Sequence, residues 1–153
     1  MSSSDSRRYP ARPVIGIGAL MFDGGCVLLA ERGREPLKGQ WSLPGGALET
    51  GETLKEGVRR EVLEETGLEV EPLWIAEVFE RIMRDAGGRA EYHYVLVDYV
   101  CRIAGGEPRA GDDVSAVRWV PVAALGEYEM TEGTRGVIER AYQKTLQHEP
   151  DKR

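Results

Sequence analysis

The sequence has few residues of the kinds that build disulfide-bonded, secreted or membrane-spanning proteins. Only two of its 153 residues are cysteines, Cys26 and Cys101. Both lie in apolar segments without metal-ligand spacing, so we expect reduced thiols in a cytosolic protein. No apolar run approaches the roughly 18 residues that a membrane-spanning helix needs. Residues 1–6 are polar and predict no secretory signal. We therefore expect a cytoplasmic protein without a membrane partner.

Basic residues are fewer than acidic residues. The chain has 20 Lys and Arg residues against 26 Asp and Glu residues, which gives a formal net charge of −6. Non-specific nucleic-acid binding depends on Lys and Arg that neutralise phosphates, so we expect no nucleic-acid partner. A small phosphorylated substrate remains compatible with this charge, because a bound divalent cation reverses the local sign of the field.

The order of the apolar segments predicts one α/β (α+β) domain. We place this domain at residues 13–148, between an N-terminal tail at 1–12 and a C-terminal tail at 149–153. The strands are predicted at residues 14–22, 26–30, 73–83, 92–103 and 114–120. Periodic apolar positions predict helices at 53–66 and 131–147. Strands and helices in this order predict a mixed sheet with helices packed on its faces.

The first predicted helix has an acidic face. Glu61, Glu64 and Glu65 stand at positions i, i+3 and i+4, so their side chains share one side of the helix. Like charges in this arrangement repel one another, whereas a hard cation such as Mg²⁺ or Mn²⁺ relieves the repulsion. Arg60 can pair with a neighbouring carboxylate and hold it in place. Considered alone, such a face is more often a solvated surface.

A glycine pair precedes this helix. Gly45 and Gly46 allow the backbone to approach a ligand closely. A carbonyl in this loop is a candidate metal ligand, and an N–H group is a candidate donor to a phosphate oxygen. Together with Glu52 and the acidic helix face, the loop predicts a cradle for a metal–diphosphate group. The helix itself has the spacing of a capping box at Thr53 and Glu56.

The complete set of residue types and separations decides whether the acidic helix face is a solvated surface or part of a site. The positions Gly46, Glu52, Arg60, Glu61, Glu64, Glu65 and Gly67 have the types and separations of the Nudix box, and none is missing. From average residue usage, this match arises by chance on the order of 10⁻⁸ times per window. The chain therefore resembles the Nudix hydrolases, most strongly over residues 41–68.

The resemblance implies a fold, an activity and a set of site residues. The fold is an α/β/α sandwich around a mixed sheet, and the activity is hydrolysis of a nucleoside diphosphate linked to another moiety, with Mg²⁺ or Mn²⁺ as cofactor. By position, the implied metal ligands are Glu61, Glu64, Glu65 and the carbonyl of Gly46. Arg60 and Glu52 correspond to the pair that orients the acidic helix face.

Further site residues follow less directly from the same resemblance. Many members use an acidic residue from the loop before a strand that ends in a W-x-P-type turn, here Asp112 or Asp113. Either one is a candidate ligand or general base, with Glu64 as the other candidate base, and the alternative is a pair of solvated turn residues. Arg32 is a candidate phosphate contact or part of a solvated basic loop. His93 is a core residue, a strand-edge residue or a substrate contact. We expect Gly45, Gly46 and Asp112 to contact the substrate as well.

The resemblance leaves three functions open. The overall look of the chain, including the segment HYVLVD at residues 93–98, is similar to ADP-ribose pyrophosphatase-like members. Our first hypothesis is therefore hydrolysis of ADP-ribose or a similar NDP-sugar to AMP and a sugar phosphate. The second is a house-cleaning nucleoside-triphosphate pyrophosphohydrolase that releases pyrophosphate. The third is a non-catalytic nucleotide-sensing module, which the complete set of carboxylates disfavours. The family also makes a homodimer an expectation.

Overall fold

The computed structural model describes residues 7–147 and shows two four-stranded sheets between two helices. The strands are β1 Val14–Leu20, β2 Phe22–Asp23, β3 Cys26–Arg32, β4 Trp41–Ser42, β5 Gly45–Ala47, β6 Leu68–Arg84, β7 Ala90–Gly106 and β8 Val114–Pro121. The helices are α1 Leu54–Thr66 and α2 Thr134–Gln147, and a 3₁₀ helix spans Val122–Glu127. The predicted C-terminal tail and the first half of the N-terminal tail lie outside the described residues.

The sheet that carries the site is mixed, as predicted. Its strand order is β5-β1-β7-β6, with β1 and β7 parallel and the other pairs antiparallel. The second sheet contains β2, β3, β4 and β8 and is antiparallel throughout. The apolar runs predicted most of these strands, but they carry no information on pairing, so they did not separate the two sheets.

Local sequence explains both ends of α1. Thr53 is the N-cap, and it forms the predicted capping box with Glu56. Gly67 ends the helix in a left-handed conformation with a φ of 76°, which costs glycine little. Gly57 has no room for a side chain, because a Cβ atom there would lie 2.5 Å from the Cδ1 atom of Ile17. The helix therefore packs closely onto β1 at this position.

Two cores hold the layers together. Val58 and Val62 of α1 pack into one core with the mixed sheet. Val137 and Ile138 of α2 pack into the other core, on the opposite side. The second helix begins at Thr134, three residues later than predicted, because Gly133 adopts a φ of 86° and the chain turns there before the helix starts. Within residues 7–147, no helix has both the length and the apolar character needed to cross a membrane.

Candidate active site

Arg60 is the centre of the acidic face of α1. Its guanidinium donates to both carboxylate oxygens of Glu52, at 2.5 and 3.0 Å. It also donates to Glu61 at 2.9 Å and to Glu64 at 3.2 Å. A further bond of 3.1 Å reaches the carbonyl oxygen of Ala47, at the end of the glycine loop. The hydrogen bond from Arg60 lowers the pKa of Glu52. One arginine thus joins the helix face, the preceding turn and the loop.

Glu61 and Glu65 are the carboxylates that face inward from α1. The Glu61 side chain is only 13% exposed, and burial raises its pKa although Arg60 opposes this shift. Glu65 accepts a hydrogen bond of 3.0 Å from the N–H group of Gly45. Burial, reinforced by the charge of Glu61, raises the pKa of Glu65 to about 8. The two groups therefore form an acidic pair in which, within residues 7–147, only Glu61 is bonded directly to an arginine.

The glycine loop lies directly against this pair. Gly45 and Gly46 belong to β5, which pairs with β1. A Cβ atom on Gly46 would lie 2.5 Å from the carboxylate of Glu61, so a larger residue would push this side chain out of place. The structure thus brings together four of the predicted site residues, Gly45, Gly46, Glu61 and Glu65, at one end of the pocket.

The glutamate carboxylates of α1 are suitable ligands for a divalent cation, but their oxygens do not converge on one point in the described residues. Within the part of the chain that the structure describes, no three His, Cys, Asp or Glu side chains are grouped closely enough to hold a metal ion. Glu64 is 43% exposed and turned toward Arg60. Glu61 and Glu65 nevertheless supply the oxygen donors that Mg²⁺ and Mn²⁺ prefer, and burial and mutual repulsion disfavour their charge when nothing neutralises it. Glu64 is a candidate third donor, because only one of its carboxylate oxygens is bonded to Arg60.

The loop that carries the two candidate aspartates places Asp113, but not Asp112, in the pocket. The N–H groups of Gly111 and Asp112 donate to the carbonyl oxygens of Glu65 and Glu64, so this loop is docked on the last turn of α1. Asp113 has a φ of 59°, lines the pocket beside α1 and pairs with Arg34 at 2.7 Å. Asp112 is exposed and does not line this pocket.

The pocket extends from the acidic pair across the mixed sheet. Arg32 lines it, as predicted for a phosphate contact, and its Nε atom donates to the carbonyl oxygen of Pro36 at 2.7 Å. His93 does not line it. Its neighbours Tyr92 and Tyr94 do, and side chains alternate between the two faces of a strand. His93 therefore lies on the other face of β7, which speaks against the substrate-contact alternative and leaves the core and strand-edge alternatives.

The pocket residues that the sequence did not indicate include Arg7, Phe79, Arg81 and Asp98. Arg7 belongs to the predicted N-terminal tail. The segment after it is held on the β6–β7 hairpin, because the Tyr9 hydroxyl donates to Asp85 at 2.7 Å and the Tyr9 N–H group donates to the carbonyl of Glu91. Asp98 was detectable in principle, because it is a charged residue within the apolar run YVLVDYV.

The family follows from a comparison with known proteins. The family profile described as "NUDIX domain" matches residues 12–141. The chain belongs to the Nudix hydrolase family. This confirms the predicted family and enzyme class, and the α/β/α arrangement of the structure confirms the predicted fold. A crystal structure of a MutT Nudix hydrolase from Burkholderia pseudomallei matches with a TM-score of 0.74 and 32% identity, covering 84% of this chain and 98% of that one.

Curated relatives of this Nudix hydrolase carry different activity names. An ADP-ribose pyrophosphatase from Methanocaldococcus jannaschii is 36% identical over 106 residues, which are 69% of this chain and 60% of the relative. A putative 8-oxo-dGTP diphosphatase 2 from Mycobacterium tuberculosis is 40% identical over 125 residues, which are 81% of this chain and 84% of the relative. The chain therefore spans less than two thirds of the archaeal relative's length, and the relatives do not agree on a substrate.

Proposed function

We propose that this Nudix hydrolase cleaves the diphosphate bond of ADP-ribose or a similar NDP-sugar, producing AMP and a sugar phosphate. The observation that carries the hydrolysis is the half-buried acidic pair Glu61 and Glu65, which faces the glycine loop at one end of a pocket. Arg7 and Arg32 line the same pocket and provide positive charge for phosphate oxygens. The similarity to the archaeal ADP-ribose pyrophosphatase supports this choice of substrate.

We assign each part of the site a role in this reaction. Glu61, Glu65 and the carbonyl of Gly46 would hold Mg²⁺ or Mn²⁺, with Glu64 as a further donor or as the base. When bound, the cation neutralises diphosphate oxygens and acts as a Lewis acid. Arg60 holds Glu61 and Glu52 in position through its hydrogen bonds.

A carboxylate must accept the proton of the water that attacks phosphorus. The candidates are Glu64 and Asp113. Glu64 is within reach of solvent and is held by one bond from Arg60. Asp113 lines the pocket and is paired with Arg34. Transfer of the proton to either group makes the water a stronger nucleophile. The phosphate that is not attacked is the leaving group, and a bound cation would neutralise its charge.

A second candidate function is the removal of pyrophosphate from nucleoside triphosphates. The similarity that favours it is the 40% identity with the putative 8-oxo-dGTP diphosphatase over most of both chains. The same carboxylates would serve this reaction, so the acidic pair does not separate the two candidates. They differ in their products, because one releases a sugar phosphate and the other releases pyrophosphate.

A substrate screen tests both candidates. The purified protein would be incubated with Mg²⁺ and with Mn²⁺ and with ADP-ribose, NADH, diadenosine polyphosphates, nucleotide sugars, and unmodified and oxidised nucleoside triphosphates. Products would be identified by mass spectrometry. We expect the highest kcat/KM for ADP-ribose, with AMP and ribose 5-phosphate as products. Preferential release of pyrophosphate from a triphosphate would contradict the first proposal and support the second.

A further inference from the structure

Asp98 is a buried carboxylate in the pocket that the reaction described above does not use. It is 5% exposed and lines the pocket from β7. Arg81 and Glu77 act on it through their charges, and none of the described residues forms a hydrogen bond with its side chain. Glu77 is itself occupied, because it pairs with Arg140 at 2.7 Å. Its carboxyl oxygens are not among the fully buried, unpartnered side-chain atoms of residues 7–147, so they are open to the pocket and available to a ligand.

Arg81 has a hydrogen-bond donor that is likewise without a partner among the described residues. One terminal nitrogen donates to the carbonyl oxygen of Glu132 at 2.6 Å. The Nε atom, however, is buried and has no hydrogen-bond partner among residues 7–147. Arg81 and Asp98 both line the pocket and act on each other through their charges, so a guanidinium and a carboxyl group lie close together at this end. Groups of this kind are usually paired in folded proteins.

The strand register places Asp98 at a definite distance from the acidic pair. Asp98 is opposite Gly18 on β1, and Gly18 is opposite Gly45 on β5. Two strand spacings correspond to about 10 Å between the backbones of Asp98 and Gly45. This is close to the length of one nucleoside. A diphosphate bound at the glycine loop would therefore bring the far end of an attached nucleoside near Asp98.

Side chains of β7 lie against the glycines of β1 in the pocket wall. A Cβ atom on Gly18 would collide with the Asp98 carboxylate, and one on Gly16 would lie 2.7 Å from the Cδ2 atom of Leu96. Gly16 and Gly18 thus leave room for the side chains of Leu96 and Asp98 to lie against β1. Phe79 lines the pocket from β6, opposite Leu96 on β7. An aromatic side chain at this end favours a planar base as its neighbour.

We propose that Asp98 and Arg81 form the nucleobase-reading end of the substrate pocket, where they bind the hydrogen-bonding edge of a purine. This inference rests on the proposed function and deepens it, because it assigns the recognised part of the substrate to named residues. Arg81 supplies a donor to an acceptor atom of the base. Asp98 binds an N–H group of the base, and its protonation state determines whether it also donates.

The chemistry of the carboxyl group makes the proposal specific. Burial raises the pKa of Asp98 to about 7, so both forms of the group are accessible near neutral pH. The ionised form accepts two hydrogen bonds and matches the adjacent N–H groups of guanine. The neutral form donates one bond and accepts one, and it matches the amino group and ring nitrogen of adenine. The amide of an asparagine, like the neutral carboxyl group, donates on one side and accepts on the other, so it matches adenine only.

The test measures binding of AMP and GMP, which contain no diphosphate bond to cleave. Dissociation constants would be obtained by NMR titration for the wild type and for Asp98→Asn. We expect the ratio of the two constants to shift toward AMP by about tenfold or more, as the loss of a hydrogen bond to a charged group produces. A ratio within about twofold of the wild type, with the fold intact, would overturn the proposal.

Two further variants control the test. Glu71→Gln removes an exposed carboxylate of β6 that pairs with Arg102 outside the pocket, and it should leave both constants unchanged. Arg81→Lys retains the charge but removes the planar fork of guanidinium donors, and it should weaken binding of both nucleotides by about fivefold or more. This variant keeps the proposal testable if Asp98→Asn does not fold, and unchanged binding to it would then overturn the proposal.

The binding test also separates this inference from the proposed function. A shifted AMP to GMP ratio in a protein that hydrolyses none of the screened substrates would support base reading and contradict the proposed reaction. Hydrolysis of ADP-ribose together with an unchanged ratio would support the reaction and contradict base reading.

Discussion

Replacement of Arg60 by alanine should destabilise the protein strongly. The guanidinium makes four hydrogen bonds to three glutamates and one to a backbone carbonyl. Two of these glutamates, Glu52 and Glu61, have side chains that are only 16% and 13% exposed. Without Arg60, two largely buried carboxylates would lose their main source of positive charge.

The size of the effect follows from these contacts. Removing one partner of a buried ion pair costs roughly 3–5 kcal/mol, because the remaining charge is left uncompensated. Arg60 is partly accessible to water, and Glu61 can take up a proton, so we expect about 3 kcal/mol. For a protein of this size, that loss lowers Tm by roughly 6–12 °C. The exposed bond to Glu64 should contribute little to this total.

Urea unfolding followed by circular dichroism would measure the change in the free energy of unfolding. Arg59→Ala is a matched control, because Arg59 precedes Arg60 on the same helix and is exposed. It should cost less than about 0.5 kcal/mol. A loss below about 1 kcal/mol for Arg60→Ala would show that the glutamates do not depend on Arg60, and it would refute the reasoning.

Three further predictions concern the carboxyl groups. Glu64→Gln should fold normally but lower kcat a hundredfold or more, as loss of a base or ligand does, and near-normal turnover would remove Glu64 from the mechanism. Activity should disappear in EDTA and return with Mg²⁺ or Mn²⁺, whereas activity that persists in the chelator would contradict the metal-dependent mechanism. The third prediction uses the pKa of Asp98, which burial raises from 3.8 to about 7. The folded state then retains a proton that the unfolded state releases, so stability should fall by roughly 4 kcal/mol at most as pH rises from about 4 to 7, and then level off. Urea unfolding across this range should show a flatter profile for Asp98→Asn, and parallel profiles would contradict the assignment.

The acidic face and the caps of α1 could be predicted because they depend on neighbours along the chain. A helix brings residues i, i+3 and i+4 to one side whatever lies around it, so Glu61, Glu64 and Glu65 were recognised together. The same local geometry explains the capping box at Thr53 and the end of the helix at Gly67. The spacing of the box also placed the glycine loop beside the helix, and it identified the family.

Strand pairing was not predictable in the same way. Alternation shows that neighbouring residues of a strand face opposite sides, but it does not show which side faces a pocket. His93 and Asp98 lie on one strand, and only the packing of β7 between β1 and β6 turns Asp98 inward and His93 away. The docking of the loop at Gly111 on the end of α1 likewise separates Asp113 from Asp112.

The sequence alone therefore determined the family, the acidic helix and the predicted reaction class, because each depends on short-range spacing. The tertiary structure decided the composition of the rest of the pocket, because its walls come from segments far apart in the chain. Arg7, Arg81 and Asp98 meet there through a docked N-terminal segment and two long strands. Their charges acquire a role only where burial removes water from around them.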